Sequence, residues 1–322
     1  MSNKCLVTKL KGSVDNTDLP IFMAFRIDLK PLSGRGGDYC YAAIGSGNSP
    51  LTVTSKIPYH LAGGSASTAP VTIPANTIYP FGFFSNEVPE GATEEALVVS
   101  GDIYSMTAIT FYDTANWFSI KKPDHTSMLY SSNLICDVCG PDEAVKPSVK
   151  VFTLNDTTID GGNYAKVFEH ADDLVYLLGV SIGGVKCLVN TADIAGCKNL
   201  KYVNTRVNGS VVDLPRSVIS LWSPTSATHG NLEDFVEDRR NNGVTEGFLC
   251  IHNATTAWNM RYNNTRIINL DPSVMPTTGD TVHNTYFVWT ASTMGFTSTK
   301  PAGFVDYSSP YPAAVAALNG EI

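Results

Sequence analysis

The stretch YVNTRVNGSVVDLP, residues 202–215, repeats a phrase that stands far upstream as CLVTKLKGSVDNTDLP, residues 5–20. Aligned on Gly209 and Gly12, Thr205, Val207, Ser210 and Val211 fall opposite Thr8, Leu10, Ser13 and Val14. A catalytic motif is rarely needed twice, whereas a unit that stacks on copies of itself is needed many times. Outward from Gly209, the pattern apolar-x-Gly recurs as Val138-Cys-Gly140, Ile159-Asp-Gly161, Ile182-Gly-Gly184 and, degenerately, Thr228-His-Gly230. The glycines follow at intervals of 21, 23, 25 and 21 residues, each with a β-branched residue two places before it. Strand-like stretches lie upstream: SVKVFTL (148–154), DLVYLLGV (173–180), NLKYVNT (199–205) and SVISLW (217–222). Leu10-Lys-Gly12 and Val99-Ser-Gly101 lie outside the regular run.

A period of this size is that of a solenoid, whose turns each bury their apolar side only against neighbours. The expected inward set of one turn is Leu200, Val203, Thr205 and Val207, with the glycine making the bend after them. Each apolar side chain contributes about 1.5–3 kcal/mol before ordering entropy is counted, so several turns and closed ends are required. The closing element is read in NLEDFVEDRRNNG, a helix over 231–242. Asn231 stands as its cap, acids come early, Arg239 and Arg240 come late before Gly243, and Leu232, Phe235 and Val236 share one side.

These repeats resemble leucine-rich repeats of an irregular kind, rich in Thr and Asn. KCLVTKLKGSV, VVSGDI (98–103), KNLKYVNTRVNGSVVDLP and GNLEDFVEDRRNNG together resemble repeat proteins of phages and prophages of gut Bacteroidales, a group largely hypothetical or virion-associated. The likeness covers roughly residues 1–20 and 95–245, and the usual leucines are often Val or Tyr. It implies a structural or adhesive virion component, a head fibre or tail appendage without catalysis, in contact with other capsid or tail proteins and with the host surface or its glycans. It implies assembly in the bacterial host cytoplasm and homo-oligomers, trimers first. The alternative is a secreted or surface glycan-binding repeat protein of a Bacteroidales bacterium.

The fold class expected is mainly β. A β-sandwich or barrel over 1–95 leads into an irregular leucine-rich-repeat-like solenoid over 96–245, followed by a β segment and tail over 246–322. Turn clusters cut 20–95 into IFMAFRIDL, DYCYAAI, LTVTSKI, APVTIPA and TIYPFGFF, and GFLCIHNA, TRIINL and TYFVWTAS follow the helix. The tail PYPAAVAALNGEI reads as a short helix or a loose end.

Composition agrees. Only 16% of the 322 residues are charged, with 26 Gly, 18 Pro, 14 Tyr and 14 Phe, which favours strands and turns. A net charge of -8 without a concentrated basic face argues against nucleic acid. No apolar run reaches membrane-spanning length, and MSNKCLVTKLKGS is too interrupted for a signal-peptide core. Seven cysteines in a chain of this length read as reduced thiols.

No catalytic, metal or cofactor residues are expected. Cys136-Asp-Val-Cys139 lacks a second ligand pair, since Cys187 and Cys197 are ten apart with no suitable His, so Cys136 reads as a buried filler. Histidines 60, 125, 170, 229, 252 and 283 are scattered. AGGSAS (62–67) is no nucleophile elbow, GSGNSP (45–50) is no nucleotide loop, and Arg35-Gly-Gly-Asp38 is a turn. Trp117 and Trp222 remain as candidates for stacking on a sugar or a partner, with core packing the competing reading.

Overall fold

The computed structural model describes residues 25–29, 39–62, 64–84, 87, 95–102, 105–113, 118–121, 127–128, 149–155, 168, 171–182, 185–186, 188–222, 228–252, 259–267, 284–297, 299–307 and 310–322. Gly12, Gly140, Gly161, Gly184, Trp117, Cys136, Cys139 and Cys187 lie outside these residues. The molecule is mainly β, built from several sheets.

Strands are numbered in chain order. One antiparallel sheet runs β10 (Ser127–Met128), β9 (Phe118–Lys121), β1 (Phe25–Leu29), β7 (Glu95–Gly101), β3 (Leu51–Ser55), β5 (Val71–Ile73). A second, mixed sheet begins with antiparallel β4 (His60–Leu61), β6 (Ile78–Phe84), β2 (Tyr39–Gly45) and β8 (Ala108–Asp113). It then turns parallel through β11 (Val151–Asn155), β12 (Tyr176–Ile182), β15 (Tyr202–Asn204), β17 (Ser220–Trp222) and β19 (Gly247–His252). Antiparallel β22 (Asn284–Trp289) and β23 (Met294–Thr297) end it, and β13 (Val185–Lys186) folds back on β12. The third sheet is parallel through β14 (Leu188–Asn190), β16 (Arg206–Ser210), β18 (Thr228–Asn231) and β20 (Asn259–Tyr262), with β21 (Thr265–Arg266) turning back.

The barrel expected over 1–95 is not formed by the described residues. Odd strands β1, β3, β5 and β7 go to one sheet and even strands β2, β4, β6 and β8 to the other, and the latter runs on into parallel strands instead of closing. Hydrogen-bonded ladders therefore cross residues 95 and 245, where the sequence suggests divisions. Ile44, Phe81 and Phe83 of the mixed sheet share one core with Leu51, Val53, Ile73 and Val99 of the antiparallel sheet.

Between β12 and β19 the chain alternates a strand in the mixed sheet with a strand in the third. Leu177, Val203, Leu221 and Ile251 stand in register and are buried in the same core. All four residues of the expected inward set, Leu200, Val203, Thr205 and Val207, are at most 3% exposed. Strands β14, β16 and β18 each run into a helical turn: α1 (Thr191–Ile194), a 3-10 turn at Val211–Asp213, and α2 (Leu232–Asn241). Extended Asn190, Ser210 and Asn231 open these turns, and Asp193, Asp213 and Asp234 follow three residues later. Ser210 Oγ accepts from Val212 N. Asn231 makes no side-chain cap bond, and its amide donates instead to Asp234 (3.4 Å), as Asn190 donates to Asp193 (3.0 Å).

Gly209 and Gly230 precede these turns with φ of +115° and +117°, a region that favours glycine. Ladder partners do not follow the sequence repeat: Asn190 pairs with Asn208 and not Ser210, and Gly209 pairs with Thr228 and not Gly230. β16 and β18 are thus each set two residues off the strand before them. The glycine consequently lies over the first residue of the preceding turn, so a Cβ on Gly209 would overlap Thr191 Oγ1 and one on Gly230 would stand 3.0 Å from Val211 Cγ2.

Candidate functional site

The face of the mixed sheet opposite that core carries a second row, Tyr176, Tyr202, Ser220, Cys250 and Tyr286, in register. Residues 299–307 cross this row, and α3 (Pro310–Leu318) packs Ala313, Ala314 and Ala317 into the same cluster. Phe304 sits at the centre, 3% exposed, its ring 5.9–6.5 Å from those of Tyr202, Phe248, His252 and Tyr286. Tyr176 donates to the Tyr307 carbonyl (3.1 Å), and Lys150 Nζ donates to the carbonyl of Ala317 near the end of α3 (3.3 Å). Burial in this layer raises the Tyr176 and Tyr202 phenols to about 12.

Two places further along the strands stand Asn204, Trp222 and His252. Trp222 and His252 are paired in register, with ring centroids 5.0 Å apart at 32°. Trp222 and Asn204 are half-buried, and Asn204 donates to Tyr176 Oη (3.0 Å). His252 Nε2 lies 3.0 Å from Ser220 Oγ and 3.4 Å from Cys250 Sγ. The site is therefore an aromatic and amide shelf along one edge of the strap, with a Ser–His–Cys cluster beneath it.

A Ser–His contact of this length is what a nucleophile and its base require. Here both partners are buried, at 7% and 2% exposure, under the ring of Phe304, and burial pushes the Cys250 thiol up so that it stays protonated. The cluster satisfies buried polar groups, which is a structural task. The shelf above it can bind: a half-exposed indole supplies an apolar face and Asn204 an amide.

Of the other sequence candidates, Cys197 is a free, buried thiol between Ile194 and Leu200, raised to about 12 by burial. His229 is exposed on β18. His60 contacts the Gly64 carbonyl through Nδ1 and Glu87 through Nε2 (2.8 Å), and both contacts raise its pKa. Of the carboxylates in 233–238, Glu233 accepts from Asn263 N, Asp234 from Asn231, and Asp238 pairs with Arg216 and Arg239. No group of three metal-binding side chains occurs among the described residues, and no described helix is long and apolar enough to cross a membrane. The Ser220–His252 contact was not legible from the sequence, since the two are 32 residues apart and only strand register joins them.

No protein-family model, no curated protein and no solved structure matches the chain.

Proposed function

We propose that the protein is a non-enzymatic structural and adhesive component of a phage particle, a head fibre or tail appendage. On this reading the residues from β11 to β20 are coils of an irregular leucine-rich-repeat-like solenoid behind an N-terminal β-sandwich, and copies associate, as trimers first. One observation carries it: two parallel ladders are fed alternately by the same chain, with an Asn/Ser-x-x-Asp turn after β14, β16 and β18 and a positive-φ glycine before the last two of these turns. Stacked coils give a rigid, extended scaffold, which suits attachment more than chemistry. The buried state of Ser220, Cys250 and His252 supports the non-catalytic part. The virion assignment itself rests on the sequence resemblance.

Mass spectrometry of purified phage particles carrying this gene tests it. The expected result is this chain in fixed stoichiometry with the capsid or tail proteins; its absence from intact particles would overturn the assignment. The Trp222 shelf favours one second reading, a secreted or surface glycan-binding protein, for which oligosaccharide binding without incorporation into particles is the expected result.

A further inference from the structure

The outer face of the third sheet holds an arrangement that neither the stack nor the shelf uses. On β20, Met260 is fully buried and Tyr262 is turned into the core, so Asn259 and Arg261 point outward and are exposed. On β21, Arg266 is exposed and stands directly opposite Arg261 in the antiparallel register. Cross-strand partners of this kind hold their Cβ atoms about 4.5–5.5 Å apart, and like charges in that position destabilise a sheet. Neither guanidinium has an ion-pair or hydrogen-bond partner among the described residues. Nearby acids are committed elsewhere, Asp234 to Asn231, the register partner of Arg261, and Glu233 to the hairpin turn.

The hairpin that carries the pair is rigid. Its turn residues Asn263 and Asn264 both take positive φ, +51° and +61°, as a tight two-residue connection requires. Glu233 clamps the Asn263 N–H at 2.6 Å, and Tyr262 donates to the Met294 carbonyl at 3.0 Å. Beside Arg261 the same face continues through Asn231, and beside Asn259 through His229, which is exposed. Two arginines held opposite each other by the hairpin register, next to neutral polar groups, match an oxyanion borne on a sugar. The chain's net charge of -8 does not prevent this, because at physiological salt charges beyond about 8–10 Å are largely screened.

We propose that Arg261 and Arg266 form a binding subsite for an acidic polysaccharide, contacting its carboxylate or sulfate groups. The site stands apart from the virion assignment, and its test does not depend on where the chain resides. Binding of polygalacturonate, dextran sulfate and neutral dextran would be measured by calorimetry on the full chain. Polygalacturonate and dextran sulfate report the carboxylate and sulfate sources separately, and binding to at least one is expected, with none to dextran. The Arg261→Gln/Arg266→Gln variant should lose about tenfold or more in affinity. Its melting midpoint should hold or rise, because a like-charge contact is relieved. Four results would each overturn the proposal: no binding to either polyanion, equal binding to dextran, undiminished binding by the double variant, or the same loss from exposed Lys198→Gln. A fall in the melting midpoint of the double variant would assign the arginines to folding instead and overturn it likewise.

Discussion

Gly209 shows how one residue can be fixed by two independent demands. Its φ of +115° suits no side chain, and the place its Cβ would take is filled by Thr191 of the turn below. Replacement by Ala should cost roughly 2–4 kcal/mol, combining backbone strain with overpacking. Gly243, with φ of +85° but nothing within 4 Å of a Cβ, supplies the comparison, and Gly243→Ala should cost only about 1 kcal/mol. Urea unfolding of both variants, with Thr191→Ala added to recover the steric part of the first, checks the assignment. The glycine was legible because its phrase recurs. Its reason was not, since the bend expected there is an offset between neighbouring strands, and offset is a property of pairing and not of spacing.

At the scale of the element, α2 carries the clearest difference between pattern and packing. Its limits, early acids and apolar side follow from NLEDFVEDRRNNG, and Leu232, Phe235 and Val236 are fully buried as that pattern requires. It does not close the stack, however, because β19 and β20 extend both ladders beyond it. Arg239, read as a charge complementing the helix dipole, is instead fully buried. Its guanidinium lies 3.7 Å from the Phe235 ring centroid and donates to the carbonyls of Val212, Leu214 and Pro215, which docks the helix on the 3-10 turn before it. Burial lowers its pKa to about 10, with Asp238 opposing that shift. Arg239→Leu keeps an apolar filler but strands those carbonyls, and it should destabilise the fold by about 3–5 kcal/mol in urea unfolding. Arg239→Lys should recover little of this, because an ammonium cannot span three acceptors with a planar fork. Heptad or helical patterning registers only that a charge ends a helix; which way it turns depends on Leu214 and Pro215, a coil away. Half-buried Arg240, the next residue in the helix, holds the carbonyls of Thr290 and Thr293 in the β22–β23 connection.

Across the whole molecule, the strap of residues 299–307 and α3 joins the parallel strands to β2, β6 and β8. Its keystone is Phe304, and Phe304→Ala should cost about 3–5 kcal/mol. The same variant should make Cys250 reactive to iodoacetamide under native conditions while Cys197, in the other core cluster, stays protected. Equal protection of both thiols would mean that the ring does not cover Cys250. The strap was illegible because PYPAAVAALNGEI announces a small apolar helix without saying which surface it meets, and Phe304 lies outside any periodic pattern. The two-residue offset in the third sheet has a further consequence for how such a chain can change. Each passage climbs by about 6.6 Å along the strand direction, so the sheet is a staircase and not a ladder with level rungs. Duplicating or deleting one step would slide α2 and the arginine hairpin by that height against everything below, and the tally of turns is thereby locked against gradual growth.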